Sequence, residues 1–120
     1  MRKQPFVVYY KPGCSKCRTL LEAMDGAGVQ CELVEYLEQI PTIELLQDIL
    51  KKTGLKAKNL VRTSEPLYSE KFAGKKYSDK KWLEILVKNP ILLQRPIVMK
   101  GDKAWIARDA ETIKRLLEGL

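Results

Sequence analysis

Apolar residues form four short runs that have the length and composition of β-strands. The runs cover residues 7–10, 29–36, 97–99 and 104–107, and they are rich in valine, isoleucine and aromatic residues. Turn-forming residues, among them Gly13, Gly28 and Gly101, bound them. The pattern therefore predicts two strands in the first third of the chain and two in the last third.

Between and after these runs, apolar residues recur at the spacing of helices. Helices are predicted over residues 14–26, 42–54, 78–89 and 109–120, with a short helical turn over 55–60. Three of them begin at a residue whose side-chain oxygen can cap a helix: Thr42, Ser78 and Asp109. Residues 61–68 are predicted to be extended or irregular, because Pro66 disfavours a helical conformation at Glu65.

The order of these elements is that of a thioredoxin-like α/β fold. The two strands of the first strand–helix–strand unit should be parallel, with a right-handed crossover. Gly101 and Asp102 suit a type II′ hairpin turn between the last two strands. We therefore predict one domain over residues 1–120, in the order βαβ, helices, ββα, with a four-stranded mixed sheet and a helical insertion at about residues 37–90.

The composition is typical of a globular protein, with 120 residues, of which 45% are hydrophobic and 31% are charged. No apolar run approaches the roughly 18 residues needed to span a membrane. Residues 1–5 lead into a strand and not into a signal-peptide core. The three cysteines, an odd number, fit a reducing compartment better than a disulfide framework. We therefore predict a cytoplasmic protein without a membrane partner.

A net charge of +7 favours anionic partners, which include nucleic acid, acidic proteins and small oxyanions. Lysines are densest over residues 71–81, a pattern typical of a solvated face. The chain has no nucleic-acid-binding motif, and its aromatic residues do not alternate with basic ones as they do in a base-stacking surface. The sequence therefore argues against direct nucleic-acid binding.

The most specific chemical feature is the pair Cys14 and Cys17, which opens the first helix after a Pro-Gly turn. Free N–H groups and the helix dipole at this end favour an anion, either a thiolate or a bound oxyanion. Lys11, Lys16 and Arg18 act in the same direction. We therefore predict a lowered pKa for Cys14, with Cys17 one helical turn away and within disulfide reach.

Other interpretations of the cysteines stay open at this point. Cys14 and Cys17 are also compatible with two small buried residues, or with half of a zinc site. Zinc is weakly supported, because the chain has only one further cysteine, no histidine and no second pair. Cys31 falls in the second strand, where a core residue is the simpler interpretation and a distant resolving thiol is the alternative.

Three arginines stand at junctions between predicted elements: Arg62, Arg95 and Arg108. A guanidinium offers a planar fork of donors and stays charged, which suits a tetrahedral oxyanion. In a thioredoxin-like layout, the loop before the third strand approaches the start of the first helix. Taken singly, however, each arginine is better explained as a surface cation.

Several stretches together resemble the arsenate-reductase-related ArsC family, which includes the Spx group. They are residues 10–18, 35–38 with 41–42, 60–63 with 65–68, 89–98 and 106–108. The resemblance covers essentially the whole chain and implies a thioredoxin-like fold with a helical insertion. It also implies that Cys14 is the nucleophile and that Arg62, Arg95 and Arg108 hold an oxyanion.

The resemblance further implies a reaction and an external reductant. In family reductases the cysteine thiolate attacks arsenate, and glutathione with glutaredoxin completes the two-electron reduction, so no bound cofactor or metal is expected. Thioredoxin is the alternative reductant. Pro12, Gly13 and Pro96 are expected to shape the backbone at the site. The thioredoxin-like layout also predicts that the Arg95–Pro96 peptide bond is cis.

Two positions depart from the family pattern. Family arsenate reductases commonly lack the second cysteine, whereas Cys17 is present here, as in redox-switch Spx proteins. Family members often have proline where Asp109 stands, and a carboxylate there can compete with substrate for Arg108. Spx-type proteins bind RNA polymerase and lack the full arginine set. The arginines therefore favour the enzyme, and a redox-sensing regulator with a Cys14–Cys17 disulfide switch is the alternative.

Two routes remain for Cys17. It can attack oxidised Cys14 and close a disulfide that thioredoxin or glutaredoxin resets, or it can be a packed thiol while glutathione resolves Cys14 directly. The spacing favours the first route, because reversible redox chemistry uses a second thiol one turn away.

Overall fold

The structure is a computed structural model that describes residues 5–118. Its sheet contains β1 (Phe6–Tyr10), β2 (Cys31–Glu35), β3 (Ile97–Lys100) and β4 (Lys103–Ile106). The spatial order is β2-β1-β3-β4, with β1 and β2 parallel and the other two pairs antiparallel. The α/β fold with a four-stranded mixed sheet and a parallel first pair is confirmed.

Within the described residues the helices are α1 (Ser15–Gly26), α2 (Ile43–Thr53), α3 (Pro66–Lys71), α4 (Asp79–Lys88) and α5 (Ala110–Glu118), and 3₁₀ turns cover Ala57–Leu60 and Pro90–Leu92. None of these helices has the length and apolar character to cross a membrane. The chain divides into two units, one combining Met1–Gln39 with Arg95–Leu120 and one formed by Ile40–Gln94. That both belong to a single domain with an insertion at about residues 37–90 stays a prediction.

The first unit is built on one hydrophobic core, to which the sheet and the two helices α1 and α5 contribute. Its buried members are Phe6, Val8, Leu20, Met24, Val98, Ala107, Ile113 and Leu116. Alternation along β1 buries Phe6 and Val8, whereas a spacing of four residues along α1 buries Leu20 and Met24. Each such burial contributes about 1.5–3 kcal/mol of hydrophobic stabilisation. The core therefore packs β1 against α1.

The second unit is helical and has Trp82 of α4 at its centre. The Trp82 ring lies 5.1–6.5 Å, between centroids, from the rings of Tyr68, Phe72 and Tyr77. The ammonium of Lys58 lies 5.1 Å from the Trp82 ring centroid, in cation–π range. This aromatic cluster joins α3, α4 and the loop between them.

The predicted N-caps are confirmed. In each, a side-chain oxygen accepts a hydrogen bond of 2.7–3.2 Å from the N–H three residues later, and the caps are Thr42, Ser78 and Asp109. The β3–β4 turn also agrees with prediction. Gly101 has a φ of +58° whereas Asp102 has no positive φ, which fits a type II′ turn.

The prediction for the end of residues 61–68 is wrong, because α3 begins at Pro66. Glu65 does avoid the helical region, with φ −73° and ψ 134°, as expected before proline. Proline is nevertheless favourable at the first helical position, since an N–H is not needed there and its φ already suits a helix. Pro66 therefore starts a helix instead of excluding one.

Candidate functional site

The turn between β1 and α1 places Cys14 at the helix start. Gly13 has a φ of +80°, a conformation that residues with a side chain rarely adopt. The Cys14 N–H donates to the Lys11 carbonyl at 3.3 Å, and the Cys14 carbonyl accepts from the Arg18 N–H at 3.0 Å. Cys14 therefore occupies the N-cap position of α1, as the sequence predicts.

The surroundings of the Cys14 sulfur stabilise its thiolate. Burial raises the pKa of Cys14, but hydrogen bonds to the sulfur from the Cys17 N–H, the Cys17 thiol, the Arg95 guanidinium and the Lys16 N–H outweigh it. Together they lower the pKa from 9.0 to about 7. The predicted direction of the shift is confirmed, and a large share of Cys14 is a thiolate near neutral pH.

The pKa of Cys17 is shifted in the opposite direction, although Cys17 lies only one turn further along α1. Its side chain is 2% exposed, and this burial, together with the neighbouring Cys14, raises its pKa to about 11 against a lowering by the Lys11 backbone. Both cysteines are free thiols. The pair therefore combines a sulfur that ionises near neutral pH with a sulfur that stays protonated and donates to it.

Arg95 brings a buried positive charge to the Cys14 sulfur. Its side chain is 6% exposed, and its Nη1 donates to the Tyr36 hydroxyl at 3.2 Å. Burial lowers the pKa of Arg95, but its interactions with Tyr36 and with Cys14 outweigh this and raise it. The Arg95–Pro96 peptide bond is cis, as predicted. Arg95, in the loop before β3, therefore contacts Cys14 at the start of α1.

Arg108 follows β4 and lies beside the same loop. Its Nη1 donates to the carbonyl oxygen of Arg95, and the Ala107 N–H donates to the Pro96 carbonyl at 2.9 Å. The neighbouring Asp109 uses a carboxylate oxygen to cap α5, accepting from Thr112. Asp109 therefore uses a carboxylate oxygen to cap α5, and Arg108 is hydrogen-bonded to the backbone carbonyl of Arg95.

Arg62 belongs to the second unit, where its local contacts are defined. Its N–H donates to the Leu92 carbonyl at 2.7 Å, and its Nε lies 3.7 Å from a carboxylate oxygen of Glu65. The isolated bridge between Val61 and Leu93 holds this segment in place. A role for Arg62 at the Cys14 site stays a prediction.

A cavity of about 390 Å³ opens beside the thiol pair, within the size range of small-molecule sites. Its lining includes Cys14 and Cys17, and the predicted structural residues Pro12 and Gly13 form part of its wall. Lys11 and Arg18 add positive charge to the lining, and acidic residues lie further along α1. The cavity gives a small anion access to the thiolate.

The remaining cysteine does not join this site. Cys31 is half-buried and packs against the core of the first unit, and burial raises its pKa. These observations favour the interpretation of Cys31 as a packing residue. Between residues 5 and 118, no group of three or more His, Cys, Asp or Glu side chains is arranged to hold a metal ion.

The sequence analysis did not identify Tyr36, which contacts Arg95 at this site. It is fully buried, and its hydroxyl accepts the hydrogen bond from Arg95. Its N–H also donates to the Tyr10 carbonyl at 3.3 Å, which continues the pairing of β1 with β2. The one available signal was a tyrosine at the end of a predicted strand, within a segment shared with the resembled family.

Comparison with known proteins gives consistent results. The ArsC family model matches residues 9–116. The uncharacterized protein YfgD of Escherichia coli K12 is 37% identical over 112 residues, covering 92% of this chain and 94% of that protein. Arsenate reductase of Neisseria meningitidis is 34% identical over 112 residues, covering 92% and 96%. The structure of arsenate reductase from Vibrio cholerae superposes with a TM-score of 0.85 at 30% identity, covering 99% of this chain and all of that one.

Proposed function

The chain belongs to the ArsC family, and from this we propose that it is a thiol-dependent oxidoreductase that reduces arsenate or a similar tetrahedral oxyanion, with Cys14 as the nucleophile. The observation that carries the proposal is the ionised Cys14 sulfur at the N-terminus of α1, bonded by the Arg95 guanidinium. The relatives named arsenate reductase support the substrate class.

The proposed reaction consumes two thiols for each arsenate. The Cys14 thiolate displaces one arsenate oxygen, which leaves as water after taking up two protons, and an arsenic–sulfur bond forms. A second thiolate then attacks the Cys14 sulfur. The sulfur–sulfur bond forms, the arsenic–sulfur bond breaks, and its electron pair stays on arsenic, so that arsenite leaves. Two thiols are thereby oxidised to one disulfide as arsenic(V) becomes arsenic(III).

The arginines supply the positive charge that this reaction needs. Arg95, Arg108 and Arg62 are proposed to hold the oxyanion, because charge-assisted hydrogen bonds position it and stabilise the charge that develops at the reacting centre. Arg95 is the best supported of the three, since it already bonds to the Cys14 sulfur. Pro12, Gly13 and Pro96 are proposed to shape the backbone around it.

An assay of arsenate reduction tests the proposal directly. Purified protein is supplied with glutathione and glutaredoxin or, separately, with thioredoxin and its reductase, and arsenite is quantified. We expect turnover that the Cys14→Ser variant loses and that Cys31→Ser retains. If the wild-type protein produces no more arsenite than the Cys14→Ser variant with every reductant, the proposal is wrong.

The second thiol is proposed to be Cys17, with thioredoxin or glutaredoxin as the external reductant that resets the disulfide. The Cys17→Ser variant separates this from direct resolution by glutathione. Under the first route it loses most thioredoxin-supported turnover and accumulates a mixed disulfide on Cys14. Near-normal turnover with glutathione, and no Cys14–Cys17 disulfide in mass spectra of mildly oxidised protein, would establish the second route instead.

A second candidate function is a redox-sensing regulator that binds RNA polymerase, as Spx-type proteins do. The observation that favours it is the hydrogen bond between the Cys17 thiol and the Cys14 sulfur, because a disulfide switch needs two sulfurs close to each other. RNA polymerase binding that changes on oxidation, in a protein without arsenate turnover, would select this function. If neither the reduced nor the oxidised protein binds RNA polymerase, this second function is excluded.

A further inference from the structure

Five exposed lysines occupy the end of α3, the loop after it and the start of α4 in the second unit. We call them the lysine surface, and its members are Lys71, Lys75, Lys76, Lys80 and Lys81. Residues 71–81 contain only one acidic residue, Asp79, so this stretch has a net charge of +4, against +7 for the whole chain. More than half of the net positive charge is therefore concentrated in one short segment.

The aromatic cluster around Trp82 brings these lysines together in space. A lysine directly precedes each of three of its rings, in the pairs Lys71–Phe72, Lys76–Tyr77 and Lys81–Trp82. The Phe72 and Tyr77 rings lie 6.3 and 5.1 Å from the Trp82 ring, between centroids. Because the three rings meet, the backbone positions just before them are neighbours, while the lysine side chains stay in solvent. The lysines therefore form a surface as well as a run in the sequence.

The positive charge of the lysine surface is not neutralised from within residues 5–118. No ion pair among these residues involves any of the five lysines. Asp79, the one carboxylate in the stretch, instead accepts a hydrogen bond at 3.2 Å from the Ala57 N–H. The cation–π contacts of the described residues use Lys58 and Lys100. The five ammonium groups are therefore available to a partner.

Two of the lysines stand at positions that are unfavourable for the helix they begin. Lys80 and Lys81 lie in the first turn of α4, after the Ser78 N-cap. The N-terminal end of a helix carries a partial positive charge, so cations there are destabilising. Three positions after a serine cap, where Lys81 stands, glutamate or glutamine is the favourable residue. An anionic partner would offset this repulsion.

We propose that the lysine surface binds an acidic segment of a partner protein, rich in aspartate and glutamate. Lysine ammonium groups are compact charges on flexible stems, which suit a series of carboxylates that has no fixed spacing. The proposal is independent of the proposed function, because the lysine surface belongs to the Ile40–Gln94 unit and Cys14 belongs to the other unit.

The same region favours an acidic protein over a nucleic acid. Proteins that bind single-stranded nucleic acid offer exposed aromatic rings on which bases stack, whereas Phe72 and Tyr77 are half-buried and their rings contact Trp82. The lysine surface also contains no arginine, the residue whose planar fork of donors matches a phosphate. Nucleic acid is therefore the alternative that a binding experiment must exclude.

A fluorescent peptide of ten glutamates is the probe, and its binding to the full chain is followed by fluorescence anisotropy. At low salt we expect saturable binding, and the affinity should fall as added salt screens the charges. Lys80→Gln combined with Lys81→Gln should weaken binding about tenfold, the effect of losing two exposed ion pairs. Lys75→Gln combined with Lys76→Gln should weaken it by a similar factor.

The matched control is Lys103→Gln combined with Lys114→Gln, which removes the same charge from exposed positions of the first unit. It should change the affinity less than about twofold. Thermal unfolding checks the fold: the variant at Lys80 and Lys81 should be at least as stable as the wild type, because two cations leave the first turn of α4. If it is less stable, the variant at residues 75 and 76, which lie in a loop, decides the result.

The outcomes also separate the lysine surface from the reaction at Cys14. No saturable binding of the peptide at low salt overturns the proposal, as does equal weakening by the control, which would reflect net charge alone. Duplex DNA that binds more tightly than the peptide, with the same loss in the variant at Lys80 and Lys81, overturns it in favour of nucleic acid. Arsenate turnover without peptide binding leaves the proposed function intact, whereas peptide binding without turnover leaves only the lysine surface.

Discussion

Cys14 and Cys17 share one helix and lie one turn apart, yet their thiols have opposite chemical character. Cys14 is partly exposed and receives hydrogen bonds from two backbone N–H groups, a thiol and a guanidinium, so its pKa falls to about 7. Cys17 is buried and faces the negative charge of Cys14, so its pKa rises to about 11. The pKa of each thiol depends less on its position in the helix than on two factors. These are the number of hydrogen-bond donors to the sulfur and the extent to which water is excluded from it.

The comparison suggests a division of labour. The Cys14 thiolate is the nucleophile. Cys17 is unreactive while it is protonated, because a thiol becomes a nucleophile only when it loses its proton. Oxidation of Cys14 removes the negative charge beside Cys17, and the pKa of Cys17 should then fall toward its ordinary value. The order of events would therefore be built into the electrostatics of a single turn.

Replacing Cys14 by serine should produce the largest effect. We expect arsenate turnover to fall by more than about 10³-fold, because the nucleophile is removed, and the rapid phase of iodoacetamide alkylation near pH 7 to disappear. Cys17→Ser should retain that rapid phase, since Cys17 is not the ionised thiol. Equal alkylation rates in the two variants would remove the distinction between the sulfurs.

Neutralising Arg95 should have the next largest effect. In Arg95→Gln the sulfur loses its charged donor, so we expect the pKa of Cys14 to rise by about one unit and kcat/KM for arsenate to fall by about 10²-fold or more. Arg115→Gln is a matched control, because Arg115 is exposed on α5 and pairs with Glu111. Alkylation rate against pH reports the pKa, and an unshifted profile would show that Arg95 does not act on Cys14.

Removing the Tyr36 hydroxyl tests how Arg95 is held. Tyr36→Phe keeps the ring and deletes the acceptor at the Arg95 guanidinium, so Arg95 should be less firmly positioned. We expect the pKa of Cys14 to rise by about half a unit, the effect of a weakened hydrogen bond of roughly 0.7 kcal/mol. Tyr77→Phe, which changes a ring contact of Trp82 in the other unit, should leave the alkylation profile unchanged. A shift shared by both variants would point to a general loss of stability.

The remaining expected effect concerns the free energy of unfolding and its dependence on pH. In the folded protein Cys14 has a pKa of about 7, below the value of 9.0 that it has in the unfolded chain, so the folded state binds fewer protons than the unfolded state between these values. Its contribution is therefore complete above about pH 9 and is lost as the pH falls through 7. The partial exposure of Cys14 reduces it to about 1 kcal/mol.

Cys17 should act in the opposite direction. Its folded pKa of about 11 lies above 9.0, so its contribution is present below pH 9 and is lost as the pH rises toward 11. Urea unfolding of reduced protein across this range measures both contributions. Cys14→Ser should abolish the rise between pH 7 and 9, and a rise of the same size in that variant would contradict the assignment.

Much of the fold follows from local pattern. The four strands, the caps at Thr42, Ser78 and Asp109, and the position of Cys14 at the helix start could all be predicted from the sequence, because each depends on neighbouring residues. The helix that begins at Pro66 could not, since the same proline disfavours a helix before it and favours one after it. In the folded chain, the rings of Tyr68 in this helix and of Phe72 at its end contact the ring of Trp82.

The contacts that tune the site were beyond the reach of local pattern. The sequence indicated that Arg95 and Arg108 suit an oxyanion, but not that Tyr36 holds the Arg95 side chain or that Arg108 bonds to the Arg95 carbonyl. Tyr36 and Arg95 are 59 residues apart along the chain and meet across β1, which pairs with both β2 and β3. Arg95 and Arg108 lie at the two ends of the β3–β4 hairpin and meet because those strands pair. Periodicity identifies which residues face a core, but it does not identify which polar groups meet across it.

The late position of Arg95 along the chain has a consequence during synthesis. Cys14 leaves the ribosome long before Arg95, and the entire Ile40–Gln94 segment is translated between them. Until β3 is available to pair with β1, the Cys14 sulfur lacks its guanidinium partner, so its pKa should stay above the value of about 7 that it has in the folded chain. The nascent chain therefore carries a less reactive thiol, and oxidants meet the reactive form only after the segment that contains Arg95 and β3 has been translated.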